Sequence, residues 1–152
     1  MQIFRADLNH LDQLAGLFDA YRVFYEADSQ PEAARKFIAD RLRLQDSAIF
    51  LAMDETNQGM GFLQLYPIFS SVAMQPAYLL NDLFVAPKFR QKSTGSSVAS
   101  ALIRACETYA RQVGVSYLFL QTANTNIRAQ AVYEHLGWKL DQTFRVYERI
   151  LN

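Results

Sequence analysis

"NDLFVAPKFRQKSTGSSVAS", residues 81–100, changes from an apolar run into a small, basic, hydroxyl-rich loop and then into helix-like sequence. The apolar run predicts a strand that stops at Pro87, and residues 94–97 predict the first turn of a helix. The loop between them carries Arg90, Lys92 and a glycine. Because the first amide groups of a helix point outward with the positive end of its dipole behind them, this loop either caps an ordinary helix beside a basic surface turn or holds an anion.

The segments around this loop predict an α+β chain. Before the loop, the sequence predicts a strand, two helices and three strands, the last of them at 77–87. After the loop it predicts a helix, a strand, a helix and two further strands within "WKLDQTFRVYERI" (138–150). A right-handed crossover should make the strands at 79–86 and 115–122 parallel, and a ligand crevice is expected where two such strands part.

Size and charge indicate a single domain that spans residues 1–152. Half of the chain is hydrophobic (51%), and its 15 basic and 15 acidic residues balance. A chain of this length can bury one sizeable core. The balanced charge gives no reason to expect nucleic acid or an anionic membrane as a partner.

The single cysteine and the two histidines further limit the kinds of protein and of site that the sequence allows. The single cysteine, Cys106, allows no intrachain disulfide, and its apolar helical context favours a core position. His10 and His135 show no metal-ligand spacing, so no metal is expected. The sequence shows no signal-peptide pattern and no apolar run long enough to cross a bilayer. We therefore expect a cytoplasmic protein.

A second informative segment is "NIRAQAVYEHLGWK", residues 126–139. Asn126, Ala129, Tyr133 and Gly137 follow one another at spacings of three, four and four, which places them near one face of a helix. On that face an asparagine amide, a small residue and a phenol could contact a ligand. Alternatively, Asn126 caps the helix, Ala129 and Tyr133 pack, and Gly137 ends it.

Together and in this order, the two segments resemble the GNAT superfamily of acetyl-CoA-dependent N-acetyltransferases over about residues 3–145. The family's pyrophosphate loop, Arg/Gln-x-x-Gly-x-Gly/Ala, corresponds to residues 90–95. Its later signature, Asn-x-x-Ala-x-x-x-Tyr and then Gly-Phe, is matched from Asn126 to Gly137, with Trp138 in place of Phe. The resemblance implies a GNAT fold, with a mixed, mostly antiparallel sheet of six to seven strands flanked by four helices.

The resemblance also implies acetyl-CoA as co-substrate. The residues that it assigns to acetyl-CoA binding are Leu83, Phe84, Val85, Arg90, Gln91, Lys92, Ser93, Thr94, Gly95, Ser96, Asn126, Ala129 and Tyr133. The strand residues among them pair with the pantetheine arm in the family, and the loop holds the pyrophosphate. Ser93 departs from the pattern, because the family most often has its first glycine there.

The family's chemistry assigns two catalytic roles. A primary amine attacks the thioester directly, Tyr133 protonates the leaving thiolate, and the backbone N–H of Phe84 or Val85 faces the oxyanion. Asp82, at the end of the strand, is the candidate base for the ammonium proton. It could instead orient the amine, or be an exposed acidic residue without a role in the reaction.

The acceptor is expected to be a small primary amine, such as a polyamine or an amino acid. Tyr21, Tyr25 and Glu26 could form an aromatic and acidic pocket for it; alternatively the aromatic residues belong to the core and the acid is solvated. Acetylation of proteins or peptides and a non-catalytic acetyl-CoA-binding module are the alternative functions. The strand-like residues 140–152 would allow a homodimer.

Overall fold

The computed structural model describes residues 1–90 and 97–151, which form four α-helices and five strands. The helices are α1 (Leu11–Phe24), α2 (Pro31–Leu44), α3 (Val98–Gln112) and α4 (Ile127–His135). The strands are β1 (Gln2–Arg5), β2 (Ala48–Met53), β3 (Gly59–Ser70), β4 (Gln75–Val85) and β5 (Leu118–Leu120). Within these described ranges, no helix combines the length and the apolarity that a membrane crossing requires.

The five strands form one mixed sheet in the order β1-β2-β3-β4-β5. The β1–β2, β2–β3 and β3–β4 ladders are antiparallel, whereas β4 and β5 are parallel. The parallel ladder runs only from Tyr78 opposite Leu118 to Leu80 opposite Leu120. This confirms the predicted parallel arrangement on either side of α3. Beyond Leu80 the two strands separate, which is where a ligand crevice was expected.

The sheet is covered on both faces, so β2 is apolar along its whole length. In β2, Ile49 and Leu51 pack with α1 and α2, whereas Phe50 and Ala52 pack with α3. This alternation follows from the two-residue period of a strand. Cys106 lies in the α3 layer and is fully buried, which confirms its predicted core position.

One irregularity interrupts the β3–β4 ladder. Gln64 lies opposite Asp82 and Leu65 lies opposite Leu80, so Asn81 is an extra residue in β4. Such a bulge leaves one residue unpaired and bends the strand. It occurs directly after the last residue of β4 that pairs with β5.

Two helices that border the crevice begin at side-chain caps. The Ser97 hydroxyl accepts from the Ser100 N–H at the start of α3, and the Asn126 carbonyl oxygen accepts from the Ala129 N–H at the start of α4. Gly137, with a φ of 86°, follows α4 in the left-handed region that glycine adopts without strain. The predicted cap and glycine stop of α4 are therefore confirmed.

The sheet has fewer strands than expected. The two strands predicted within 138–150 are wrong, because the structure has no strand after β5 among its described residues. The large apolar side chains of this carboxyl-terminal segment are 64–90% exposed: Leu140, Phe144, Val146, Tyr147, Ile150 and Leu151. An alternating sequence becomes a strand only when its backbone pairs with another strand. In the described residues of one chain this segment has no such partner.

Candidate active site

A cavity of about 200 Å³ opens where β4 and β5 separate. Its walls come from β4, from the ends of α1 and β5, and from the first turns of α3 and α4. A second cavity of about 270 Å³ takes six of its eight lining residues from the same set, among them Tyr21, Tyr25 and Asn81. The crevice predicted from the strand order is therefore present.

The β4 wall offers unpaired backbone. β4 pairs with β3 as far as Val85 but with β5 only as far as Leu80. On the β5 side, residues 81–85 therefore have no strand partner among the described residues. Leu83, Phe84 and Val85, all predicted to contact acetyl-CoA, line the cavity along this edge. An extended ligand arm could pair here as an additional strand would.

Two arginines give one end of the cavity a positive charge. Arg90 and Arg128 both line it. The Arg90 Nε donates to the Val85 carbonyl over 2.8 Å, and its guanidinium lies 5.1 Å from the ring centre of Phe24 and 5.4 Å from that of Phe84. Burial, and then the charge of Arg128, lower the pKa of Arg90. Two neighbouring guanidinium groups form a favourable site for a phosphate.

The α4 wall brings together the residues of the second motif. Asn126, Ala129 and Tyr133 all line the cavity. Asn126 caps the helix with its oxygen, and its amide nitrogen makes no hydrogen bond to a described residue. Tyr133 is buried, and burial raises the pKa of its phenol to about 12. Its hydroxyl makes no hydrogen bond to a described residue.

Asp82 lies beneath the cavity rather than in it. It is 3% exposed and lines neither cavity. Its carboxylate accepts from Gln64 Nε2 over 2.7 Å and from Asn81 Nδ2 over 3.0 Å, and the nearby Tyr21 hydroxyl also interacts with it. Burial raises the pKa of Asp82, and the three donors counteract that shift. The alternative that Asp82 is an exposed acid is wrong.

The Gln64 side chain is held from both ends. Its Oε1 accepts from the Ser47 hydroxyl over 3.1 Å, and its Nε2 donates to the Tyr66 hydroxyl over 2.8 Å as well as to Asp82. Gln64 is fully buried. A buried amide with every polar atom bonded fixes the position of the carboxylate that it contacts.

The predicted acceptor residues separate into two groups. Tyr21 and Tyr25 line both cavities, and their rings pack edge to face at 5.1 Å. Tyr21 also packs on Phe62 and Phe84, so it is both a core residue and a wall of the cavity. Glu26 is exposed, with a φ of 62°, and lines neither cavity.

Most of the predicted phosphate loop cannot be placed. The residues predicted there that lie outside the described residues are Gln91, Lys92, Ser93, Thr94, Gly95 and Ser96. Of that loop the structure describes Arg90, which lines the cavity, and the cap residue Ser97, which does so from the other side.

Three residues of the site are absent from the sequence-based prediction. Gln64 had a usable signal, because a lone amide in the otherwise apolar strand "GFLQLY" (61–66) requires a buried partner. Arg128 also had a usable signal, because it is a basic residue within the quoted segment 126–139, two residues after Asn126. Asn81 had no signal, since a bulge depends on the register of β4 against β3.

No group of acidic, histidine or cysteine side chains suited to a metal ion occurs within residues 1–90 and 97–151. The lining of both cavities in the described part of the chain also contains no carboxylate. The chemistry available there is that of phenols, amides, guanidinium groups and backbone, with Asp82 one hydrogen bond further in.

Several known proteins are similar to this chain in sequence and in fold. The model of the "Acetyltransferase (GNAT) family" matches residues 14–138. The uncharacterized N-acetyltransferase YhfO of Bacillus subtilis is 40% identical over 97% of this chain and 95% of its own length. The D-amino-acid N-acetyltransferase HPA3 of Saccharomyces cerevisiae is 28% identical over 88% of this chain and 80% of its own length. The crystal structure of a probable acetyltransferase, 40% identical, superimposes with a TM-score of 0.91 over 100% of this chain and 99% of that one.

Proposed function

The chain belongs to the GNAT family of acetyltransferases, and on that premise we propose that it transfers the acetyl group of acetyl-CoA to the primary amine of a small molecule by direct attack. One observation carries the proposal: a single cavity is lined by an unpaired strand edge, two arginines and a buried phenol. The first two suit a long anionic thioester, and the phenol suits its leaving group.

Acetyl-CoA supplies the activated acetyl group, and the residues present fit it. The unpaired edge of β4 at residues 81–85 would bind the amide-containing arm. The guanidinium groups of Arg90 and Arg128 would bind phosphate, together with the start of α3. The free amide nitrogen of Asn126 would donate to the arm from the opposite wall.

Proton transfer is divided between the two walls. Because burial raises the pKa of Tyr133 to about 12, its phenol stays protonated at neutral pH and can act as the acid that gives a proton to the departing thiolate. The raised pKa of Asp82 makes it a better base near neutral pH than an ordinary carboxylate. We assign it as the final acceptor of the ammonium proton.

A small acceptor is favoured over a protein. Tyr21, Phe24 and Tyr25 at the end of α1 form one wall of the crevice, and an aromatic wall suits a small amine. An enzyme that acetylates proteins or peptides would need an open, elongated groove there. The aromatic wall therefore supports the small-molecule reading.

Among small amines, the charges favour an amino acid over a polyamine. In its described part the cavity presents Arg90 and Arg128 and no carboxylate, so it offers a polycation no acidic partner. An amine with a neighbouring carboxylate would be attracted. The relationship to a protein named as a D-amino-acid N-acetyltransferase supports the same choice. Glu26, predicted to attract a cationic amine, stays an untested prediction.

The first experiment is thermal unfolding with and without excess acetyl-CoA, followed by CoA release with a panel of amino acids and polyamines. Binding at about 100 times the Kd adds roughly 2.7 kcal/mol, which raises Tm by several degrees. The expected result is this shift together with faster turnover of amino acids. A shift without CoA release from any amine would indicate a non-catalytic module, and the absence of a shift would refute cofactor binding.

The carboxyl-terminal segment supports a homodimer. Its six large apolar side chains, from Leu140 to Leu151, are exposed in the single chain, and a second copy would bury them. Sedimentation of the full chain is expected to show a dimer that Phe144→Glu dissociates. Leu44→Glu is the matched control, because Leu44 is also exposed but lies at the end of α2. A monomeric wild type would refute the dimer.

We also propose a cytoplasmic location. Cys106 is free and buried, which agrees with a compartment that keeps thiols reduced. Fractionation of cells that express the full chain, with antibody detection, tests the location directly.

A further inference from the structure

The base proposed above cannot touch a substrate. Asp82 is 3% exposed, and neither cavity is lined by it. An ammonium group in either cavity is therefore separated from the carboxylate by protein atoms. A proton can reach Asp82 only through a group that contacts both the cavity and the carboxylate.

Two side chains meet both conditions, and their chemistry differs. Asn81 and Tyr21 line both cavities; Asn81 Nδ2 donates to Asp82 over 3.0 Å, and the Tyr21 hydroxyl lies close enough to the carboxylate for each group to shift the other's pKa. An amide N–H does not exchange its proton readily, whereas a hydroxyl can accept one proton while it donates another. The third donor, Gln64, is an amide that lines neither cavity.

We propose that the Tyr21 hydroxyl relays the acceptor's proton to Asp82. The proposal rests on the acetyltransferase function and names a catalytic residue for it. The ammonium N–H bond breaks as its proton moves to the Tyr21 oxygen, and the Tyr21 O–H bond breaks as that proton moves to the Asp82 carboxylate. The products are a neutral amine, an unchanged phenol and a protonated Asp82. After acetyl transfer the proton leaves by the reverse path, so no other reactant is consumed.

The surroundings favour a coupled transfer over a free phenolate. Burial, and then the negative charge of Asp82, raise the pKa of Tyr21, so a separate tyrosinate does not accumulate. The other titratable side chains around the pair are Tyr25, directly after α1, and Tyr66 on β3. Tyr66 in turn interacts with Arg41 and Asp46, whose charges act on its pKa in opposite directions.

The geometry also keeps the relay in position. The Tyr21 ring contacts Phe18, Phe62 and Phe84, with ring centres 5.9–6.2 Å away. Gln64, bonded at both ends, holds the carboxylate. Tyr21→Phe would keep the ring contacts and remove only the hydroxyl.

The test compares Tyr21→Phe with Tyr66→Phe through the pH dependence of kcat/KM. Tyr66 is the matched control, because its hydroxyl bonds to Gln64 in the same cluster but lines neither cavity. We expect Tyr21→Phe to lower kcat/KM about 100-fold at pH 7. The variant should regain activity at high pH, where the amine is already neutral, and Asp82→Asn should show the same profile. Tyr66→Phe should change kcat/KM less than about threefold, with the wild-type profile.

Several outcomes would overturn the relay. One is a Tyr21→Phe profile that is parallel to wild type, which would make Tyr21 a contact residue only. Another is additive losses in the Tyr21→Phe, Asp82→Asn double variant, because two members of one relay lose the same step once. A wild type that releases no CoA with any amine would overturn the proposed function, and the relay with it. Active wild type with an unaltered Tyr21→Phe profile would overturn the relay alone.

A measurement without substrate checks the contact itself. The Tyr21 hydroxyl bond lowers the pKa of Asp82, so Tyr21→Phe should raise it in a carboxyl ¹³C NMR titration. An unchanged Asp82 titration would show that the hydroxyl and the carboxylate are not bonded in solution, and would overturn the relay.

Discussion

Tyr21 and Tyr133 face the same cavity from opposite walls, and their surroundings differ in one respect. Burial raises the pKa of both phenols. The Tyr21 hydroxyl lies beside the carboxylate of Asp82 and interacts with it, whereas the Tyr133 hydroxyl bonds to no described residue. A phenol with a carboxylate behind it can pass a proton inward. A phenol without one can only give its proton to whatever enters the cavity.

The comparison explains how one cavity can handle protons in two directions. Direct attack requires the acceptor to lose a proton on one side and the thiolate to gain one on the other. Two phenols with the same intrinsic acidity suffice, because their partners differ. In the proposed reaction, the buried carboxylate and its amide donors therefore determine which wall removes a proton.

The largest expected effect is at Tyr133, the phenol whose hydroxyl bonds to no described residue. Tyr133→Phe should lower kcat about 10²- to 10⁴-fold, because the thiolate loses its proton donor. The Tm should change little, since the hydroxyl has no bond to a described residue and the ring keeps its packing on Trp138 at 6.0 Å. CoA release at saturating substrates and thermal unfolding measure the two quantities. An unchanged kcat would remove Tyr133 from the acid role.

The next effect tests Gln64, which donates a hydrogen bond to the Asp82 carboxylate beside Tyr21. Gln64→Met removes one donor from Asp82 and leaves the carboxylate buried, so the free energy of unfolding should fall by about 1–3 kcal/mol. The pKa of Asp82 should rise further, and the ascending limb of the pH–rate profile should move to higher pH with it. Urea unfolding and pH-dependent turnover provide the measurements. Ser47→Ala is the control, because Ser47 bonds to Gln64 without touching Asp82.

A smaller effect concerns stability as a function of pH. Burial raises the folded pKa of Asp82 above its unfolded value, so the folded chain holds that proton more tightly. The resulting stabilisation is complete below the unfolded pKa, about 3.9, and is lost as the pH rises through the raised folded pKa. Because Asp82→Asn does not titrate, its Tm relative to wild type should increase across that window. A constant difference would show that Asp82 has an ordinary pKa.

The smallest effect is expected at a third phenol. The Tyr25 ring contacts Tyr21, but its hydroxyl bonds to no described residue, including Asp82. Tyr25→Phe should raise the KM for the amine about twofold to fivefold with kcat unchanged, as the loss of one neutral hydrogen bond would. Steady-state kinetics separate the two constants. A fall in kcat comparable to that of Tyr21→Phe would extend the relay beyond Tyr21.

The sequence predicted well which residues of β4 and α4 line one cavity, because its signals there are local. A strand that stops before Pro87 and a helix face from Asn126 to Tyr133 can be read from short segments. The structure brings Leu83, Phe84, Val85, Arg90, Asn126, Ala129 and Tyr133 to one cavity. Spacing along a helix and the end of a strand depend on neighbours in the chain, so these placements needed no tertiary information.

The features that the sequence did not predict depend on distant partners. Whether Asp82 points into the protein or into solvent depends on the register of β4 against β3. Whether the alternating residues after Trp138 form strands depends on an edge to pair with, and the described residues of one chain provide none. In both cases the local sequence pattern is present, but the structure is determined by a contact with a segment that is distant in the sequence.

The extra residue Asn81 also changes which face of the sheet the odd- and even-numbered side chains of β4 occupy. Side chains two residues apart normally share a face, yet Leu80 packs with α3 while Phe84 packs with α1 and α2. The bulge between them exchanges odd and even positions, and so turns Asp82 towards Tyr21. A deletion of this one residue would restore regular alternation and send Asp82 and Phe84 to the opposite face. The orientation of the proposed proton acceptor and that of the strand edge of the cavity therefore both depend on this one extra residue.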